Sequence, residues 1–199
     1  MNNYEKQASQ AKKHFLTYDQ QELIRRCRLE YDDRYFYVRF LAESCRIDRS
    51  TGDMERFQNG NWVDGNEFNQ VMTVLDWLCD SRENRYIAGK WVNMVSLGHH
   101  FYTNLQEKED PDAWLFERNH EGFRRGCEAL GGELVSGGDI SYAIELVDGL
   151  KVLVQLWFAD EEFPPSLRLF WDENTLRYIR YETTWFAAGL LVKRIKENM

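Results

Sequence analysis

The residues best suited to chemistry stand between Gly131 and Thr175, in GGELVSGGDISYAIELVDGLKVLVQLWFADEEFPPSLRLFWDENT. Carboxylates at Asp139, Asp160, Glu161, Glu162, Asp172 and Glu173 lie close in sequence to the indoles of Trp157 and Trp171. Grouped carboxylate oxygens can hold a hard cation such as Mg²⁺ or Ca²⁺. Two that approach closely can split their pKa values and act as an acid/base pair. A tryptophan beside them offers a stacking wall for a planar ligand. The plainer reading is a solvated acidic turn that blunts a sheet edge, with the rings filling a core. No calcium-loop spacing favours the first reading over it.

The strands around these residues can be put in register from face pattern alone. Ile140, Tyr142, Ile144 and Leu146 alternate with Ser141, Ala143 and Glu145, and Val152, Val154, Leu156 and Phe158 alternate with Lys151, Leu153, Gln155 and Trp157. A two-residue Asp148-Gly149 turn would pair Leu146 with Lys151 and set each apolar face against the other strand's mixed face. A three-residue loop with Gly149 left-handed instead pairs Leu146 with Leu150, Ile144 with Val152, Tyr142 with Val154 and Ile140 with Leu156. It also faces Glu145 with Lys151. This register sets Asp139 opposite Trp157, away from the core, and puts Tyr142 on the core face. Pro164 and Pro165 end the second strand, and Leu167 to Trp171 reads as a third. In such a meander Asp139 and Asp160-Glu161-Glu162 gather at one end, while Asp172-Glu173 falls toward the other.

Other chemistry-bearing residues are sparser. His99-His100 is the one adjacent histidine pair, and neighbours in a strand point to opposite faces, which suits a shared metal poorly. His120 falls on an apolar stripe and reads as a hydrogen-bonded core histidine. Cys27, Cys45, Cys79 and Cys127 are isolated, with no Cys-x-x-Cys, and read as buried thiols of a reducing compartment. Arg25-Arg26-Cys27-Arg28 reads as a solvated helix face. There is no nucleophile elbow, P-loop or dinucleotide fingerprint. Catalytic residues, metal ligands and cofactors therefore go unassigned.

The whole chain bounds these readings. A length of 199 residues suffices to bury roughly 70% of the unfolded surface without a staple. A net charge of −8 argues against general nucleic-acid binding. No apolar run is long enough for a membrane span and the first residues lack a signal-peptide core, so the cytoplasm is the expected location.

Taken in order, Tyr4, Ala8, Ala11 and Phe15 mark a helix, and Asp19 with Glu22 a capping-box-like start to a second. Tyr35 to Leu41 reads as a strand, and Cys45 to Asp48 with Asp53 to Phe57 as a hairpin. Asn59-Gly60 and Asp64-Gly65 are turns. Phe68, Val71, Met72, Leu75, Leu78 and Cys79 form a helical stripe. Tyr86 to Phe101 is ambiguous, a short strand and turn at most. Asp110-Pro111-Asp112 opens one helix carrying Phe116, His120, Phe123, Cys127 and Leu130, stopping at Gly131-Gly132. Leu176 to Arg180 looks strand-like. A last helix from Glu182 to about Glu197 carries Trp185, Ala188, Val192 and Ile195 on its buried stripe, with Glu182 a structural acid at the positive dipole end. The fold expected is one α+β domain, a mostly antiparallel sheet with a C-terminal three-stranded meander packed by about five helices. Its N-terminal α/hairpin part would run to about residue 110 and its helix-meander-helix part from about 111 to 199.

The order Gly131-Gly132, Gly138-Asp139-x-Ser141, Trp157-x-x-Asp160-Glu161-Glu162-Phe163-Pro164-Pro165, Trp171-Asp172 and Tyr181-Glu182 resembles the bacterial domain-of-unknown-function family numbered 3786. Gly89-Lys90-Trp91-Val92 and Phe101-Tyr102 extend the likeness over most of the chain. The resemblance implies a cytoplasmic protein of anaerobic bacteria and no established reaction. The iron–sulfur label carried by relatives with an extra cysteine-rich segment does not transfer, because no such segment is present.

Two functional expectations follow. One is a small-molecule or divalent-cation-binding protein of anaerobic metabolism, with Asp139, Asp160, Glu161 and Glu162 as polar or metal-binding groups and Trp157 as the wall. The other is a non-catalytic interaction module or homodimer, since seven tryptophans and twelve phenylalanines are many for one core.

Overall fold

The structure, a computed structural model, describes residues 3–98 and 110–199. His99-His100 and Phe101-Tyr102 lie outside the described residues. Within them, seven helices and two antiparallel sheets give an α+β fold.

The first sheet runs in order β1 (Glu30–Tyr31), β2 (Tyr35–Phe40), β3 (Glu43–Asp48), β4 (Met54–Gln58) and β5 (Asn61–Asp64). Phe36, Val38 and Phe40 bury one face of β2, leaving Tyr35, Tyr37 and Arg39 on the other, as alternation demands. Asn59 and Gly60, both at positive φ, close the β4–β5 hairpin. Leu41 and Ala42 also sit at positive φ, 48° and 62°, and make the two-residue turn between β2 and β3 without a glycine. Around this sheet pack α1 (Asn3–Phe15), α2 (Gln20–Cys27) and α3 (Phe68–Asp80). Asp19 caps α2 through the Gln21 N–H, whereas Glu22 pairs with Arg26 rather than returning to the cap. Helix α3 is buried on nearly every side, Gln70, Thr73 and Asp76 included, so the predicted single stripe understates its burial.

The second sheet has order β6 (Trp91–Asn93), β10 (Ser166–Asp172), β9 (Leu150–Trp157), β8 (Ile140–Val147) and β7 (Glu133–Leu134). The predicted meander is its centre, extended by a short strand at each edge. Ile140, Tyr142 and Ile144 pair with Leu156, Val154 and Val152, and Glu145 faces Lys151, as the face pattern requires. The turn differs. Val147, not Leu146, pairs with Leu150, and Asp148 and Gly149 form a two-residue turn with φ of 52° and 79°. A bulge between Glu145 and Val147 absorbs the extra residue, so a primed turn that matches strand twist coexists with aligned apolar faces.

Short α4 (Met94–Leu97) follows β6, and the predicted long helix is two, α5 (Pro111–Arg118) and α6 (His120–Ala129). Asn119, at φ −127° and ψ 55°, breaks the ladder and caps α6 through the Gly122 N–H. The break turns the helical face, so His120 is solvent-exposed rather than a core histidine. Its ring lies 5.9 Å from that of Phe158. After β10, Thr175–Arg177 is a turn of 3₁₀ helix, not a strand. Helix α7 (Tyr181–Glu197) buries Ala187, Ala188, Leu191, Val192 and Ile195 but leaves Trp185 51% exposed, which corrects the predicted start of its stripe. Glu182 lies in its first turn, exposed. No helix among the described residues is long and apolar enough to cross a membrane.

Candidate functional site

Asp139 precedes β8, donates its N–H to Leu156 O at 3.0 Å, and accepts the Phe158 N–H on Oδ2 at 2.7 Å. It therefore sits beside Trp157, whose exposed ring faces the Arg168 guanidinium at 5.6 Å. Asp160 folds back on its own turn, accepting the N–H groups of Glu162 and Phe163, each at 2.8 Å. Those two donors hold its carboxyl below the usual range. Glu161 and Glu162 are exposed, and no hydrogen bond or ion pair among the described residues engages either carboxylate. Asp139 and Asp160 are thus committed to backbone N–H groups of the strand end and the turn after it. No group of three or more His, Cys, Asp or Glu among the described residues is arranged to hold a metal ion.

Asp172 does not join this group. It is buried at the other end of β10 and accepts the N–H groups of Ala88, Gly89 and Asn174 at 3.0, 2.7 and 2.8 Å. That fixes the incoming loop and opens the 3₁₀ turn. Trp171 is fully buried in the core, its indole N–H without a partner.

A concavity lies elsewhere, where the first sheet meets β8. The Leu41 N–H donates to Leu146 O at 3.0 Å and ties the end of β2 to the end of β8. Beside that seam opens a cleft of about 470 Å³. Cys27 to Leu29 at the end of α2 and Glu30 of β1 form one wall, Tyr37, Arg39, Ser44 and Trp62 of the first sheet another, and Glu145 and Val147 of β8 with Asp148 of its turn a third, with Trp77 of α3 beneath. A polar annex of about 210 Å³ shares Arg28 and Asp148 with it and adds Arg26, Glu83, Arg85 and Tyr178. A small recess of about 50 Å³ shares Arg39 and Glu145.

The charges of the cleft divide into engaged and free. Arg85 donates to Asp148 Oδ2 at 2.6 Å, and Arg25 pairs with Glu83. Arg26 is not the solvated residue the sequence suggests. Its side chain is 10% exposed and donates to the carbonyls of Leu78 and Cys79. Among the described residues, no hydrogen bond or ion pair engages the side chains of Arg28, Arg39 or Glu30. Arg46 lies sandwiched at 4.1 Å from the Tyr35 ring and 4.3 Å from that of Trp62, and is held by Glu55 at 2.6 Å. This stiffens the aromatic wall.

Burial pushes the Cys45 thiol up to about 12, and it raises the Cys27 thiol as well. The Trp77 indole N–H is buried without a partner, as is Arg26 Nε. A buried donor left unmade costs about 1–3 kcal/mol, and two such costs fall on residues that line this region.

Sequence reasoning passed over Tyr37, Arg39 and Trp62, read Arg28 as part of a solvated helix face, and used Glu145 only to fix the strand register. The outward alternation of Tyr35, Tyr37 and Arg39 was a usable signal, because an aromatic and cationic outer face is uncommon for mere solvent contact. Their meeting with β8 was not, since it depends on one long-range seam.

The model of a family described as a domain of unknown function (DUF3786) matches residues 19–194, and the chain belongs to that family. No curated protein and no solved structure matches it.

Proposed function

We propose that this chain is a binding protein for a small polar molecule, which sits in the cleft between the first sheet and β8. One observation carries the reading: Arg28 and Arg39, whose guanidinium groups have no partner among the described residues, line an aromatic-walled cleft whose volume suits a small ligand. Unpaired guanidinium groups can take a carboxylate or phosphate by two parallel hydrogen bonds. Tyr37 and Trp62 supply apolar surface beside them. The protonated thiols and the absence of a paired acid and base among the cleft residues favour binding over chemistry. The acidic end at Asp139, Trp157 and Asp160 to Glu162 is the weaker place for a ligand, because two of its carboxylates are engaged by backbone donors.

The test is a titration of ¹⁵N-labelled protein with pools of small metabolites, following indole N–H resonances assigned by Trp→Phe variants. A ligand should move the signals of Trp62 and Trp77 and leave that of Trp185 in place. Arg39→Gln should weaken the response at least about tenfold, as expected for one charge-assisted contact. If no pool moves Trp62 in folded protein, the cleft is not a ligand site.

A further inference from the structure

We infer that the molecule taken by the cleft is a zwitterion of the amino-acid type, its carboxylate on Arg39 and its ammonium on Glu145. The inference rests on the cleft being a binding site and adds the class of ligand.

The seam between the two sheets sets the geometry. With Leu41 N–H bonded to Leu146 O, Arg39 lies two residues before one end of that bond and Glu145 one residue before the other. Both are exposed, and both line the main cleft and the small recess beside it. Opposite charges that share a recess ordinarily find each other, yet no ion pair joins these two. The Arg39 guanidinium has no partner among the described residues. Glu145 accepts the Gly149 N–H on Oε1 at 2.9 Å, which orients the carboxylate and leaves acceptor capacity free. Its cross-strand neighbour Lys151 is turned away to Glu133 at 2.7 Å.

The recess therefore offers one free cation and one cation-less carboxylate on a common rim. A simple anion would be attracted by Arg39 and repelled by Glu145, and a simple cation the reverse. A molecule that carries both charges meets an opposite charge at each end. Its side group would extend into the larger chamber against Trp62 and Tyr37, where flat or apolar groups pack best.

The experiment titrates the full chain with each common amino acid and follows the Trp62 indole resonance. The tightest binder is then compared with its N-acetyl form, which lacks the ammonium, and with its decarboxylated amine, which lacks the carboxylate. Both truncated forms should bind at least about tenfold more weakly. Arg39→Gln should remove the discrimination against the amine, and Glu145→Gln the discrimination against the N-acetyl form. Equal or tighter binding of either truncated form overturns the zwitterion while leaving the cleft as a site. So does a set of amino acids that leaves Trp62 unmoved when a metabolite pool moves it. If neither amino acids nor pools move it, both readings fall.

Discussion

The carboxylate of Asp76, 1% exposed within α3, accepts the backbone N–H of Arg180 at 2.8 Å and its guanidinium Nε at 2.5 Å. Arg180 is the residue before α7 and has no side-chain cap of its own there, so a neighbouring helix satisfies the start of the last one. Asp76→Asn keeps an acceptor but loses the charge, and should lower unfolding free energy by about 1–2 kcal/mol. Asp76→Ala should cost about 2–3 kcal/mol, since it also orphans the N–H. Arg180→Gln should cost at least as much as Asp76→Asn, because it leaves the Asp76 carboxylate, 1% exposed, without its cation. Urea denaturation of the three variants checks the order, and a neutral Asp76→Asn would sink the account.

The acid limb of stability should depend on Asp48. Its carboxylate takes the Ser50 hydroxyl at 2.6 Å, the Ser50 N–H at 2.9 Å and Arg34 Nε at 3.1 Å. The Ser50 hydroxyl, then the Ser50 N–H and Arg34, hold it below its ordinary 3.8. A depressed folded pKa means the unfolded chain binds the proton more readily. The stabilisation is therefore present above the ordinary value and is lost as pH falls below it and through the lower folded one. Asp48→Asn should lower stability at about pH 6 and shallow the decline toward about pH 3. A variant whose acid slope matches the parent's would remove Asp48 from the explanation.

How much of this was legible in the sequence depends on the range of the interaction. The β8–β9 pairing could be read because alternation over eight residues leaves one register with both apolar faces aligned. The bulge could not, because Asp148-Gly149 satisfies the turn locally and the extra residue is absorbed one pair away. The helix break at Asn119 hid behind apolar spacing that continues across it, so His120 was placed inside when it is outside. Of the candidate sites, the acidic end was visible because carboxylates cluster in sequence. The cleft was not, because Arg28, Arg39 and Glu145 come from separate segments joined by the Leu41–Leu146 bond.

The turn that makes that seam is strained. Leu41 and Ala42 both occupy the left-handed region, where an L side chain costs roughly 1–2 kcal/mol per residue. Leu41 is buried and bonded across the seam, so packing holds it there. Ala42 contributes a single methyl. Ala42→Gly should relieve its strain at a smaller entropic cost, for a net gain of up to about 1 kcal/mol seen as a higher melting temperature. Leu41→Gly should destabilise despite relieving the same strain, since it empties a buried site. Equal signs for the two variants would show that the backbone, not the packing, decides this turn.

Asp139 separates a structural acid from a ligand. Its Oδ2 receives the Phe158 N–H beyond the end of β9, and its own N–H reaches Leu156, so it closes the open end of the central hairpin. Calcium takes six to eight oxygens and magnesium an octahedron of them, and here Asp160 is turned to its own loop while Glu161 and Glu162 stand in solvent. Millimolar Ca²⁺ or Mg²⁺ should therefore leave the melting temperature of the parent unchanged. Asp139→Ala should lower it by about 2–4 °C, the shift that a lost hydrogen bond of about 1 kcal/mol gives in a chain of this size. Asp139→Asn, which keeps an acceptor for Phe158, should recover most of that loss. The opposite pattern is equally readable: a cation-dependent rise in the parent, absent in Asp139→Asn and Asp160→Asn, would make the acidic end a cation site and Asp139 its ligand.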